Sequence, residues 1–339
     1  MFFSMIRCLP FGCNLVLIKK NHFMLKNCVC IFSLLFVFTR PIESTVLQNS
    51  DAVQAQELFI DSDDAKLFCR TMGTGKPLVV LHGGPGLGQN YLLPQLSALA
   101  EHHFVIFYDQ RGCGKSTGEI TSETMDLSTY VKDLETLRKT FQCDKISLLG
   151  HSWGAFLALH YAIAYPDCVD KLIVSNSVPA SSEDIDLFFQ EWACRMAPYQ
   201  EQLTAIENKP EFQKGDPKLH EQMLLTILRT YCHIPDHANL LNLQMSSSDA
   251  IRYLKINQIS WDNVLAKPFS LYESLKNLRI PTLVLHGESD PVPSSTAKKI
   301  QSSILNAKYV ELEKCGHFPY VEQSDQYFKL IDDFLNHSE

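Results

Sequence analysis

Long apolar runs are missing from this chain. Among its 339 residues the longest is the eleven of CVCIFSLLFVF at 28–38, well short of the ~18 needed to cross a bilayer as a helix. A polytopic membrane protein is thereby excluded. Basic blocks are missing too. Lys and Arg number 30 against 38 Asp and Glu, a formal charge of −8, and without clustered cations nothing is set against a phosphate backbone, so no nucleic acid is expected as a partner. Internal repeats and low-complexity stretches are absent, which removes solenoids and disordered chains from consideration. A cysteine framework is also lacking. Of eleven cysteines, Cys8, Cys13, Cys28 and Cys30 lie near the start. The other seven (Cys69, Cys113, Cys143, Cys168, Cys194, Cys232, Cys315) are odd in number and scattered, so mostly buried free thiols are expected. What remains, with 45% hydrophobic and 20% charged residues, is an ordinary globular chain long enough for one large domain with an insertion.

The first 45 residues differ from the rest. Arg7, Lys19, Lys20, Lys26 and Arg40 face a single acid, Glu43. A short basic start at 24–27 precedes the apolar run, the form of a secretory signal. Met24 could serve as the start. No A-x-A cleavage site follows, only Thr39-Arg40-Pro41. The segment 1–45 is read as a leader, implying export or membrane association. The alternatives are an uncleaved anchor, or a leader created by a misplaced start codon, with a cytoplasmic location as the other reading, and the unpaired cysteines lean away from an oxidising destination.

Beyond it, strands alternate with helices. Apolar runs bounded by Gly and Pro at 78–81, 104–108, 145–149, 171–174, 281–285 and 308–312 predict strands buried on both faces. Three- and four-residue apolar spacing predicts helices at 91–101, 127–141, 154–165, 293–304 and 325–336. That alternation implies a mostly parallel sheet flanked by helices. From 178 to 267 no strand is evident and helical patterns dominate (185–196, 220–231, 249–256). The predicted organisation is a core at 46–177 and 268–339 interrupted by a helical cap at 178–267.

Three separated motifs carry the chemistry. Gly150-His151-Ser152-Trp153-Gly154 joins a strand to a helix. This G-x-S-x-G spacing is a nucleophile elbow, where a tight turn projects the serine and the helix N-terminus favours negative charge. The bland alternative is a serine capping the helix. Ser152 needs an imidazole to take its proton and a carboxylate to hold that imidazole. Beyond the strand at 281–285 comes Asp290, and beyond that at 308–312 comes His317, in the order Ser, acid, His and at strand ends where ligands bind in open α/β sheets. Glu288 competes with Asp290. His286 is expected to pack or hydrogen-bond in its turn, and His151 cannot reach the adjacent serine. The third motif, His82-Gly83-Gly84-Pro85-Gly86, lets backbone approach a substrate oxygen. The Gly84 amide, with Gly83 as runner-up, would pair with that of Trp153 as an oxyanion hole. A plain Gly-Pro turn is the alternative.

Two other patterns are set aside. Arg111-Gly112-Cys113-Gly114-Lys115-Ser116 ends like a phosphate-binding loop, but Asp109 stands where that loop needs its first glycine. Cys232, His233 and His237 supply three metal ligands without a fourth.

Together HGGPG (82–86), YDQRGCGKS (108–116), GHSWG (150–154), GESDPV (287–292) and CGHFPYVEQ (315–323) resemble the proline iminopeptidase family of α/β-hydrolases. The resemblance runs from about Leu58 to the carboxyl terminus. It implies an α/β-hydrolase fold with a helical cap, removal of an amino-terminal residue, often proline, from small peptides, and no metal or organic cofactor. It also implies a cap carboxylate, commonly near a tryptophan-glutamate motif, that binds the substrate amine. Here the order is reversed, Glu191-Trp192, with Trp261-Asp262 further on. Glu183, Glu191, Glu201 and Glu207 are all candidates, and Glu191 and Trp192 are taken as substrate-binding together with Gly83. Ala155 replaces the glycine often found after the elbow. Phe188, Phe189, Trp192 and Tyr199 would line a pocket or form cap core. Without an amine-selecting charge, the same machinery would cleave small esters or amides. A homologue that binds ligand without catalysis is the third reading.

Overall fold

The computed structural model describes residues 55–336. The predicted leader at 1–45 lies outside them. Among the described residues, no helix is long and apolar enough to cross a membrane.

Eight strands form one sheet: β1 (Gln56–Ser62), β2 (Ala65–Met72), β3 (Pro77–Leu81), β4 (Phe104–Tyr108), β5 (Ile146–His151), β6 (Val169–Ser175), β7 (Thr282–Gly287) and β8 (Ala307–Leu312). The spatial order is β1-β2-β4-β3-β5-β6-β7-β8. From β4 to β8 every pairing is parallel, whereas β1, β2 and β4 pair antiparallel. The longer helices are α1 (Leu127–Thr140), α2 (Trp153–Ala164), α3 (Ser182–Met196), α4 (Gln200–Glu207), α5 (Pro217–Leu228), α6 (Ser247–Ser260), α7 (Ser294–Ser303) and α8 (Ser324–Asn336).

Successive side chains of a strand point to opposite faces, and here both faces are covered. Val79, Leu81, Ile106 and Tyr108 pack into one core with α1, α2 and α7. Leu78, Val80, Val105 and Phe107 pack into the other with Tyr327, Ile331 and Leu335 of α8. That is why these strands read as unbroken apolar runs. Helix α2 buries nearly every side chain, so it lies between the sheet and its neighbours rather than at the surface. Helix α1 begins at Asp126, whose carboxylate accepts the Ser128 amide at 3.0 Å, filling one of the orphan donors of a first turn.

Two elements depart from the sequence expectation. The β1–β2 hairpin was not predicted: QELFIDS carries acids and leaves much of one side exposed, and its turn uses Asp63 at φ 48° rather than an Asn-Gly pair. The helix expected at 91–101 is two 3₁₀ turns, Gln89–Leu92 and Gln95–Glu101, parted by Pro94, which has no N–H to continue a ladder.

Between β6 and β7 the chain is helical. It leaves and rejoins the core through a short antiparallel stalk, Ser181 bridging Ser270, with the Leu271 amide donating to Ala180 O at 2.9 Å and the Ser182 amide to Phe269 O at 3.0 Å.

Candidate active site

A single residue, Ser152, separates β5 from α2. It holds φ 58° and ψ −120°, a region that side chains with a Cβ rarely occupy and that costs about 1–3 kcal/mol. Its amide donates to Ser175 O on β6 at 3.0 Å. The flanking glycines are steric necessities. A Cβ on Gly154 would lie 2.1 Å from Leu81 O, and one on Gly150 would lie 2.4 Å from the Ala155 Cα. The elbow is therefore pressed against β3, and a Cβ on Gly83 would be 2.9 Å from that of Ser152.

Asp290 and His317 come together beside His151 of that turn. The His317 Nδ1 lies 2.7 Å from Asp290 Oδ2, and the His317 ring centre is 4.9 Å from that of His151. Both residues are buried. Burial alone would raise the Asp290 carboxyl. The charge and hydrogen bond of His317, the neighbouring His286 and the Asn176 amide outweigh it and hold the group at about 2. The acid is thus ionised throughout the neutral range. Glu288, its competitor, accepts instead from the Lys314 amide at 3.1 Å. His286 hydrogen-bonds in its turn, Nε2 donating to Val292 O at 2.8 Å, while the Val292 amide donates to Asp290 Oδ1 at 2.8 Å.

The HGGPG loop is fixed by the DQRG loop. The Gln110 amide donates to His82 Nε2 at 2.9 Å, so the His82 proton resides on Nδ1 and is donated to Gly83 O at 2.8 Å. The Gln110 side chain donates to His82 O at 2.6 Å and accepts from Trp153 Nε1 at 3.1 Å. Arg111 is buried in a fork with Asp133, at 2.7 and 2.8 Å, and reaches Asp64 at 2.9 Å. That pairing, with Ser116 bonded to Phe68 N and Asp109 O, makes the phosphate-loop lookalike a structural knot.

The two glycines are told apart here. The Gly83 amide donates to the Tyr91 hydroxyl at 2.6 Å and is not available to a substrate, which corrects its assignment as a substrate-binding residue and as the alternative donor. The Gly84 amide has no hydrogen-bond acceptor among the described residues. That of Trp153 is in the first turn of α2, where no intrahelical acceptor exists. Burial pushes the His82 imidazole below its ordinary value.

A match of residues 76–324 to the family model of the α/β hydrolase fold agrees with this sheet and elbow. A proline iminopeptidase of Lactobacillus helveticus is 30% identical over 279 residues, spanning 77% of this chain and 90% of its own. Another, from Saccharolobus solfataricus, is 31% identical over 286 residues, spanning 80% and 88%. This chain belongs to the proline iminopeptidase family of α/β-hydrolases. It is a serine hydrolase. The crystal structure of proline iminopeptidase from Mycobacterium smegmatis shares its fold, with a TM-score of 0.60 at 20% identity over 83% of this chain and 97% of the other.

In this serine hydrolase the cap grips both loops that follow β7 and β8. The His317 amide donates to Tyr231 O at 2.8 Å, and their rings lie 5.1 Å apart. Arg195 donates to Ser289 O at 2.6 Å and His233 Nδ1 meets Ser289 Oγ at 2.8 Å. Glu322 accepts from the Gly316 amide at 2.6 Å and the His233 amide at 2.8 Å. The metal-like trio has other partners: the Cys232 thiol is buried on Leu228 O, the His233 ring meets Ser289, and His237 lies 3.4 Å from Glu322. Glu191 requires correction. It is exposed and paired with Arg195 at 2.8 Å, a surface ion pair one helical turn long rather than a free amine receptor. Glu183 and Glu201 are exposed as well, and Asp262 accepts from Gln258 at 3.0 Å. Trp192 is buried, stacked on Phe188 and tilted against Tyr231, so it belongs to an aromatic cluster that ends at the His317 ring.

Sequence reasoning missed Asn176. It follows β6 at φ 48° and donates to Asp290 Oδ2 at 2.7 Å and to Gly316 O at 3.2 Å. An asparagine just past an apolar strand was the available signal, since Asn tolerates the left-handed region. Asn176→Ala strips a donor from a buried charge and is expected to cost about 1–3 kcal/mol in urea unfolding. A loss below about 0.5 kcal/mol, within the noise of such a measurement, would contradict that role.

Proposed function

We propose that this chain is an aminopeptidase that releases an N-terminal residue, proline foremost, from small peptides. The observation that carries the reading is the strained Ser152 elbow beside the buried Asp290–His317 pair in a chain about 30% identical to proline iminopeptidases. Ser152 attacks the scissile carbonyl while His317 removes its proton, and Asp290 holds the imidazole by Nδ1. The Gly84 and Trp153 amides receive the developing oxyanion. His317 then protonates the leaving amine, and water repeats the sequence on the acyl-enzyme.

A second reading, a hydrolase of small esters or amides, is favoured by one feature: Glu191 is committed to Arg195 rather than to a substrate amine. Proline amides with free and acetylated amino ends, assayed beside short-chain esters, separate the two. The expected result is a preference for the free amine of about 10- to 100-fold, the worth of a charge-assisted hydrogen bond. Equal rates on both amides, with faster ester cleavage, would select the second reading.

A further inference from the structure

His151, between Gly150 and the nucleophile, takes no part in the proton transfers just described, yet it is buried with both ring nitrogens engaged. Its Nε2 lies 2.7 Å from His317 O and its Nδ1 lies 2.8 Å from the Tyr91 hydroxyl. A carbonyl only accepts, so Nε2 carries the proton. Nδ1 is then a bare lone pair, and the Tyr91 hydroxyl must donate to it. The Tyr91 oxygen in turn accepts the Gly83 amide at 2.6 Å. Every hydrogen in the chain has one permitted direction: Gly83 N–H to Tyr91 Oη, Tyr91 O–H to His151 Nδ1, His151 Nε2–H to His317 O. The residues it joins are far apart along the polymer, 60 positions from Tyr91 to His151 and 166 from His151 to His317.

We propose that Tyr91 and His151 are positioning residues, which tie the oxyanion loop to the base loop through one uncharged chain of hydrogen bonds that runs through the residue before Ser152. The proposal rests on the reading of Ser152 and His317 as nucleophile and base. Three consequences follow from the geometry. Occupation of the Gly83 amide leaves the next amide, that of Gly84, as the one turned to an oxyanion. The His317 backbone is held on both sides, its N–H by Tyr231 O from the cap and its C=O by His151 from the core, so the imidazole turns on a fixed pivot. The His151 ring stands 4.9 Å from the His317 ring at 61° and limits that turning. The chain also stays neutral in use. Burial, aided by repulsion from His317, pushes the His151 imidazole down to about 3, so no second positive charge opposes the imidazolium that forms on His317.

The test uses the full chain and three variants. Tyr91→Phe deletes one oxygen, His151→Leu fills the space without polar atoms, and His151→Gln keeps an N–H for the His317 carbonyl and an oxygen for Tyr91. Active sites are counted by fluorophosphonate labelling, and kcat and KM for an unblocked proline amide are expressed per labelled site. Tyr91→Phe and His151→Leu are expected to lower per-site kcat on the order of 10- to 100-fold, as sub-ångström misplacement does, with KM within about twofold. His151→Gln should recover most of that loss, and the double variant Tyr91→Phe/His151→Leu should fall no further than the worse single one. A purely structural role would reduce the number of labelled sites and leave per-site kcat at the wild-type value, which overturns the proposal, as would equal losses in the Gln and Leu variants. Should His151→Leu fail to fold, Tyr91→Phe alone decides. Absence of labelling in the wild-type chain would instead defeat the underlying reading of Ser152.

Discussion

Ser152→Ala is expected to lower kcat on the order of 10³–10⁶-fold, as removal of a triad nucleophile does elsewhere, while substrate binding changes little. Only one oxygen is lost, and the turn that presents it is unchanged. Ser152→Gly should be as inactive, yet more resistant to urea than Ser152→Ala. The reason lies in the backbone: at φ 58° and ψ −120° any Cβ is strained by about 1–3 kcal/mol, whereas glycine adopts that region freely and gives back only ~0.5–1 kcal/mol in chain entropy. The pair therefore measures the strain held at the elbow. Residual turnover of Ser152→Ala above about a hundredth of wild type, more than the loss of a nucleophile leaves, would remove Ser152 from the mechanism. A Gly variant less stable than the Ala variant would remove strain from the account of the turn.

Asp290→Asn comes second. All three donors that meet the carboxylate, His317 Nδ1, Asn176 Nδ2 and the Val292 amide, require an acceptor. An amide placed there turns an NH₂ toward at least one of them whichever way it lies, and the negative charge that balances the imidazolium is gone. The expected fall in kcat is on the order of 10²–10⁴-fold, the upper figure being that of the corresponding change in an unrelated triad enzyme. The same site gives a stability signature. The Asp290 carboxyl titrates at about 2 in the folded chain against an ordinary 3.8. A depressed value of this kind stabilises the fold fully above about pH 4, and the contribution is lost as pH falls toward 2. Wild type should accordingly exceed Asp290→Asn in urea resistance at pH 6, and the gap should narrow between pH 4 and pH 2. A gap independent of pH would show that the folded chain does not hold Asp290 as an ion.

The motifs were readable because each is local. G-x-S-x-G between a strand and a helix, a carboxylate past β7 and a histidine past β8 are contiguous patterns whose backbone demands are written in neighbouring residues. The strands were legible for a related reason: burial on both faces leaves an apolar run with no alternation to misread. The β1–β2 hairpin escaped because one side of it is wet and its turn carries no glycine. Glu191 misled because adjacency to Trp192 said nothing of direction. The tryptophan enters the cap core, and the glutamate one position earlier faces Arg195 at the surface.

Order and spacing along the polymer were enough for strands β3 to β8 and for the strand-to-helix turn at Ser152, and they named Asp290 and His317 as candidate acid and base, since periodic burial and turn stereochemistry act over a few residues at a time. Folding alone settled that the Gly83 amide is taken by Tyr91, which nitrogen of His151 bears a proton, and that Asn176 steadies Asp290. The last two depend on partners 60 to 166 positions away and the first on a tyrosine eight residues further on, and hydrogen-bond direction exists only once both partners are in place.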